Sequence, residues 1–391
     1  MTEGFVRKPS GLESFLNDLD VCGCNMTFHY FLKLNRKPSL KKLNEAMSQA
    51  VETHAGINIR FVKNVWRKSD YLPVCSIIEI ENDDIYNYQA TRLNYRKNTI
   101  ALNVLHVSET DTWYLCFDFY HGAVDGRSGI LFIYDFFQIL NGESLKDNNF
   151  SVLDEDIIIQ EGEPVLHSKK TKIPLRPSCI PKNWRPKKDG KAMTFVLKTE
   201  ACTKSSAAKL AAAVGKCFTN KTAKMIIPVD IRRFAKQTGE VLFGNLIAPI
   251  FVDANTLRKV DELRSEIIEY VKQKPLLMSV ISKLSLYNRF PVKLRQAVLR
   301  FLIPLVMASK KFICCALVSP IGLIESSRLQ ALDFKVEDVS VTFISFPFTA
   351  FTVTSVQYDN HTNTTIAWHS GRVPGKTVSS LIQNIDNCIH S

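Results

Sequence analysis

One histidine and one aspartate, His121 and Asp125, stand four positions apart in the run Phe117-Asp118-Phe119-Tyr120-His121-Gly122-Ala123-Val124-Asp125-Gly126-Arg127-Ser128-Gly129. Imidazole is the side chain whose ordinary pKa lies nearest neutrality, so a histidine at a strand end is suited to take a proton from a hydroxyl or amine. An aspartate that opens a helix does different work. It caps free backbone N–H groups and is favoured by the helix dipole. Gly122, Gly126 and Gly129 permit a turn that bulkier residues would resist. A packed histidine beside a capping aspartate would explain the same residues without chemistry, so the neighbouring elements have to decide.

Those elements read clearly. Trp113, Leu115, Phe117 and Phe119 alternate as on one face of a strand, and Ile130–Leu140 reads as a buried helix that stops at Asn141-Gly142. Upstream, the first thirty-odd residues read as irregular before a strand over Met26–Leu34. Ser39 then opens a helix in which Leu40, Leu43, Met47, Ala50, Val51 and His54 recur at helical spacing. His54 sits on that apolar stripe near the helix C-terminus, where a packed histidine is expected more than a second base. Strands are expected over Ile57–Val62, Val74–Ile80 and Ile100–Val107.

Composition narrows the classes. The chain has 391 residues, and its 50 Lys and Arg against 38 Asp and Glu give a net charge of +12. Such a chain suits an anionic ligand or surface, and it carries no helix-turn-helix, zinc-finger or RNA-binding signature, so nucleic acid is not an expected partner. Ten cysteines show no paired C-x-x-C spacing. Cys22, Cys24 and His29 lack a motif to complete a metal set, so we expect unpaired thiols, no metal and a cytoplasmic, soluble protein without a secretory signal.

Residues 143–192 are rich in Pro, Lys and Asn and read as a crossing linker between a lobe over 1–142 and a second over 193–391. The second lobe opens with a strand over Met193–Leu197 and an alanine-rich helix over Ser205–Val214. A strand over Ala223–Val229 then leads into Val229-Asp230-Ile231-Arg232-Arg233-Phe234, followed by Phe243-Gly244-Asn245. Residues 257–312 read as helices mixing Lys and Arg with large apolar residues. A core-covering amphipathic helix is the favoured reading there, and peripheral docking on a membrane the lesser one. Strands over Phe312–Val318, Ser340–Phe346, Ala350–Tyr358 and Thr364–Trp368 and a helix over Val378–Ile389 close the chain.

The strand–His121-Gly122-Ala123-Val124-Asp125-Gly126–helix unit, with the V-D-I-R and F-G-N segments after it, resembles the H-x-x-x-D-G acyltransferase superfamily. That group includes chloramphenicol acetyltransferase, alcohol acetyltransferases, plant acyl-CoA-dependent acyltransferases and condensation domains. Ser319-Pro320-Ile321-Gly322 is similar to the family's S-N-x-G turn, with Pro in place of Asn. Tyr120 stands where condensation domains usually carry a further histidine, and the plant enzymes' D-F-G-W-G is absent. The resemblance implies an α/β (α+β two-layer) fold of two chloramphenicol-acetyltransferase-like lobes. Each lobe would be a mixed sheet flanked by helices, with the active site at their junction.

It also implies a free-standing acyltransferase that moves an acyl group from a thioester to a hydroxyl or amine. His121 would be the general base, with Asp125 and Gly126 completing the motif. With no nucleophile motif such as G-x-S-x-G present, the acceptor would attack directly, without an acyl-enzyme. In the family the aspartate turns from the substrate and pairs with an arginine; Arg232, Arg233 and Arg127 are the candidates. Gly122, Thr352, Thr354 and Ser355 are candidate oxyanion donors, and Gly244 and Asn245 a further motif. No tightly bound cofactor is expected; acyl-CoA would be the co-substrate beside a small-molecule acceptor, with an acyl carrier protein as the other donor. The alternatives are a non-catalytic docking protein of the same fold and a peptide-bond-forming condensation enzyme.

Overall fold

The computed structural model describes residues 6–54, 56–81, 85–88, 92–145, 187, 190–200, 206–218, 223–234, 243–254, 258–309, 312–343 and 345–390. Most of the crossing segment expected over 143–192 lies outside them. Two large sheets carry the fold, and each follows from apolar alternation along its strands. The first has five strands in the order β12-β2-β7-β6-β5: Val336–Thr342, Thr27–Leu34, Thr112–Tyr120, Ile100–Val107 and Ser76–Ile80. The second has six in the order β10-β9-β11-β13-β14-β8: Ile247–Asp253, Lys224–Asp230, Cys314–Ile324, Thr349–Tyr358, His361–His369 and Ala192–Thr199. A small third sheet joins β1 (Val6–Arg7), β4 (Val65–Lys68) and β3 (Ile59–Val62). The mixed α/β architecture expected from the sequence is the one observed.

Helix α3, Gly126–Leu140, buries Ile130, Phe132, Ile133, Tyr134, Phe136 and Phe137, with exposed Arg127 and half-buried Leu131 and Gln138 on its remaining side. So broad an apolar face must be covered, and α3 packs against α2 (Leu40–Thr53) and the aromatic face of the first sheet, where Phe117 and Phe119 meet Phe136 and Phe132. A separate apolar core lies under the second sheet, covered by α4 (Ser206–Gly215) and α8 (Gly375–His390).

The stretch expected to be irregular contains helix α1, Gly11–Val21. Its start is a capping box: Ser10 Oγ accepts from the Glu13 N–H at 3.1 Å and Glu13 accepts from the Ser10 N–H at 2.9 Å. The S-x-x-E spacing is the signal that could have announced it. The turn expected at Ser319–Gly322 is instead a bulge inside β11, with the register shifting between Pro320 and Gly322 and Gly322 at φ +97°. Proline cannot donate to a ladder, so the irregularity falls where the strand can tolerate it.

Strand β12 comes late in the chain yet forms an edge of the first sheet, its Val339 registering on Leu32. Its side chains reach the other sheet. Asp338 Oδ1 accepts from His361 Nε2 at 2.7 Å and Asn363 Nδ2 at 2.6 Å, and Asp338 Oδ2 from Lys198 Nζ at 3.2 Å. Tyr358 Oη donates to the Val336 carbonyl at 3.0 Å. One strand is thus bonded through its backbone to one sheet and through its side chains to the other. Val339 is fully buried among the residues of the first core. Val339→Asp, which buries a charge without a partner, is expected to lower the stability of the whole protein by about 3–5 kcal/mol. Denaturant titration checks this, and a loss below about 1 kcal/mol would mean that the strand is only a loose cover.

Candidate active site

His121 follows directly on β7, where its N–H donates to the Met26 carbonyl at 2.7 Å. The turn then folds back, and the His121 Nδ1 lies 3.0 Å from the Val124 carbonyl. A carbonyl only accepts, so Nδ1 carries the proton and Nε2 is left with its lone pair. The ring stands edge-on to Phe28 at 5.3 Å and to Phe343 at 5.5 Å, and those two rings stack on each other at 4.8 Å. Burial in this apolar surround pushes the imidazole below its ordinary value of 6.5, outweighing the Val124 carbonyl and the Asp125 charge. The result is a neutral ring with one nitrogen free to accept a proton.

Asp125 does not face the same way. It is the N-cap of α3, its Oδ1 accepting from the Ser128 N–H at 2.8 Å, while Oδ2 accepts from the Leu246 N–H at 2.8 Å. Arg232, on the short 3-10 turn after β9, sets Nη2 at 2.9 Å from both carboxylate oxygens. The same nitrogen donates to Ser128 Oγ at 2.6 Å, and Nη1 donates to Asp230 at 3.0 Å. Burial works against the guanidinium charge, but Asp125 and Asp230 outweigh it and raise its pKa. Gly244 completes the joint: its carbonyl accepts from the Asp125 N–H at 3.2 Å and its N–H donates to Ser128 Oγ at 3.0 Å. Asn245 Nδ2 donates to the His121 carbonyl at 2.7 Å.

Of the three arginine candidates, then, Arg232 meets Asp125. Arg233 turns the other way, donating to the Val271 carbonyl and lying over Phe234 at 4.6 Å, and Arg127 is exposed. A Cβ on Gly126 would stand 2.7 Å from Ile321 Cδ1, so that side chain would have to shift, and the Gly126 carbonyl accepts from Tyr30 Oη at 2.7 Å. A Cβ on Gly122 would collide with Asn17 and the Tyr120 ring. Thr352, Thr354 and Ser355 are all buried on β13. Thr352 Oγ1 accepts from the Phe346 N–H and Thr354 Oγ1 donates to the Val341 carbonyl, each at 3.4 Å.

His54 is fully buried between Phe132 and Phe243, with Asp135 3.3 Å from its Nε2. It is a packed histidine. Tyr120 is also buried, and its hydroxyl donates to Asn17 at 2.9 Å. Cys22, Cys24 and His29 line one cavity between the lobes, but the His29 ring is bonded to Asp118, at 2.7 Å. That pair, across β2 and β7, escaped sequence reading because the two residues are 89 positions apart. Burial holds the neighbouring Cys116 thiol protonated, and it donates to Asp118 at 3.1 Å.

The cavity measures 960 Å³ and is bounded by Thr27, Tyr88, Lys191, Thr194 and Phe343 among others. Its Phe343 wall is the ring that touches His121.

No protein-family model and no curated protein matches the sequence. Solved structures do match over essentially the full chain. Polyketide synthase associated protein 5 from Mycobacterium tuberculosis superposes with a TM-score of 0.63 at 14% identity, covering 100% of both chains. The condensation domain of the monacolin K polyketide synthase gives 0.61 at 9% identity, over 98% of this chain and 96% of that one. This is the condensation-domain fold. The cyclization-docking bidomain of a nonribosomal peptide synthetase from Sorangium cellulosum gives 0.64 at 10% identity, over 100% of this chain and 86% of that one. At such identities the likeness concerns architecture alone.

Two outcomes are expected. Asp125→Ala strands a buried guanidinium and should cost about 3–5 kcal/mol, whereas His121→Ala should stay within about 1 kcal/mol of the parent in thermal or denaturant unfolding. Equal losses would mean that the two side chains share one structural role. The second concerns pH. A depressed imidazole pKa means that the unfolded chain binds more protons than the folded one just below 6.5. His121 therefore contributes a loss of stability as pH falls through that window, while the folded ring stays neutral to lower pH. The acid limb of any His121-dependent activity should have its midpoint below 6.5; a midpoint above it would contradict the burial argument.

Proposed function

We propose that the chain is a free-standing acyltransferase in which an acceptor hydroxyl or amine, deprotonated by His121 Nε2, attacks a thioester carbonyl directly; the C–S bond then breaks and the departing thiolate takes the proton back from Nε2. The observation that carries this reading is the 3.0 Å contact between His121 Nδ1 and the Val124 carbonyl, which sets the tautomer. With Nδ1–H held by the Val124 carbonyl and the ring kept neutral by burial, Nε2 is a base and not a cation. A positioned base of this kind contributes roughly 10²–10⁴-fold. The tetrahedral oxyanion needs donors, and the free N–H groups at the start of α3, by Gly126, stand nearest in sequence; Gly122, Thr352, Thr354 and Ser355 remain the other candidates.

The donor is an acyl-CoA in this proposal. The cavity of 960 Å³ is large enough for an acyl chain with a slender thioester arm, and Lys191 at its wall suits an anionic carrier. A carrier-protein thioester is the second reading, favoured by the fold shared with a condensation domain of a synthase. Asp125 and Arg232 take no part in the chemistry; they hold the turn.

The test is release of free CoA from acyl-CoAs of increasing length offered with a panel of alcohols and amines. The parent should turn over at least one pair, and His121→Ala should lower kcat roughly 10²–10⁴-fold with little change in folding. Unchanged transfer by His121→Ala would remove the general-base assignment. Turnover with an acyl carrier protein but with no acyl-CoA would move the reading to a condensation-type enzyme.

A further inference from the structure

Helices α5 (Val260–Lys272), α6 (Lys274–Ser285) and α7 (Val292–Ala308) form the basic, apolar region for which a core-covering role is the favoured sequence reading. For α7 that is half correct. Leu299 is buried, and Ile303 and Met307 line the wall of the interlobe cavity. A second apolar stripe runs along the opposite side and stands largely exposed among the described residues. Leu294, Val298, Phe301 and Leu305 are 50%, 47%, 68% and 53% exposed. At 3.6 residues per turn these four fall within roughly 60° of one another, about half a turn from Ile303. Phe290, 56% exposed just before the helix, and Leu302 extend the stripe to about 20 Å. Single exposed apolar residues need no explanation; a continuous row of this length does.

Charge decides what could cover it. Residues 283–311 contain seven Lys and Arg and no Asp or Glu. Lys293 and Arg300 are exposed on one flank of the stripe, and Arg289 is exposed at its start. A second copy would bring the same cations face to face, an unfavourable pairing. An apolar row flanked by cations matches an anionic lipid surface, where the row enters the acyl boundary and the cations meet phosphates. No helix among the described residues is long and apolar enough to cross a membrane, so the contact is a surface one. We propose that the outer face of α7 docks this protein on anionic membranes. Docking sets the far side of a cavity wall against lipid, since Ile303 and Met307 belong to the same helix.

The test is flotation of the full chain with vesicles of phosphatidylcholine alone and of phosphatidylcholine mixed equally with phosphatidylglycerol. The parent should float with the mixed vesicles and weakly or not at all with the neutral ones. Combined Leu294→Ser, Phe301→Ser and Leu305→Ser should weaken that binding roughly a hundredfold, with an unchanged melting temperature because all three side chains are exposed. Lys293→Gln alone should weaken it roughly fivefold. A parent that ignores anionic vesicles, or a triple variant that binds them as the parent does, overturns the proposal. Self-association of the parent abolished by the triple substitution, without vesicle binding, overturns it also and assigns the face to a second copy.

Discussion

A guanidinium from one lobe sets one nitrogen against both oxygens of the carboxylate that opens the central helix of the other, and the geometry of the site follows from that contact. Arg232 and Asp125 are 107 residues apart in sequence and 2.9 Å apart in the fold. Neither charge can be left alone at such burial, so wherever the first lobe places Asp125 the second must place Arg232. The Ser128 and Leu246 N–H groups add hydrogen bonds that fix the carboxylate plane as well as its position, and Gly244 bonds the Asp125 N–H and Ser128 Oγ beside them. A joint of this kind holds register between lobes, which apolar packing alone specifies less sharply.

The consequence for His121 is indirect. The carboxylate holds the start of α3, the start of α3 holds the turn, and the turn presents the Val124 carbonyl to Nδ1. Asn245, next to the clamped Gly244, takes the His121 carbonyl from the other lobe. A base must be held both in place and in the right tautomer, and here both come from backbone groups that the ion pair stabilises. The aromatic wall of Phe28 and Phe343 does the remaining work by keeping the ring neutral. Orientation and protonation state thus have separate causes, a polar joint for one and apolar burial for the other.

Much of this could be read in the chain, and the parts that could not share a cause. Strand Ile100–Val107 was legible residue for residue because a half-buried strand imposes period two on its own sequence. The turn at His121 was legible because a strand of alternating apolar residues runs into it and a capped apolar helix leaves it. The choice among Arg127, Arg232 and Arg233 was not, since it depends on which way adjacent side chains leave a short turn in the opposite lobe. Strand β12 as an edge of the first sheet, and the His29–Asp118 pair, were hidden for the same reason: their partners are far off in sequence. Helix α7 deceived differently, because apolar residues on opposite sides of a helix look alike until one side is seen to be largely exposed.

The central claim is that His121 is a neutral imidazole with its proton on Nδ1. Nitrogen-15 NMR of the protein labelled in histidine, with His121 assigned by comparison with His121→Gln, measures this directly. The account predicts a pyrrole-type shift for Nδ1 and a pyridine-type shift for Nε2 at neutral pH. The reverse pattern, or two equal shifts marking an imidazolium, would contradict it.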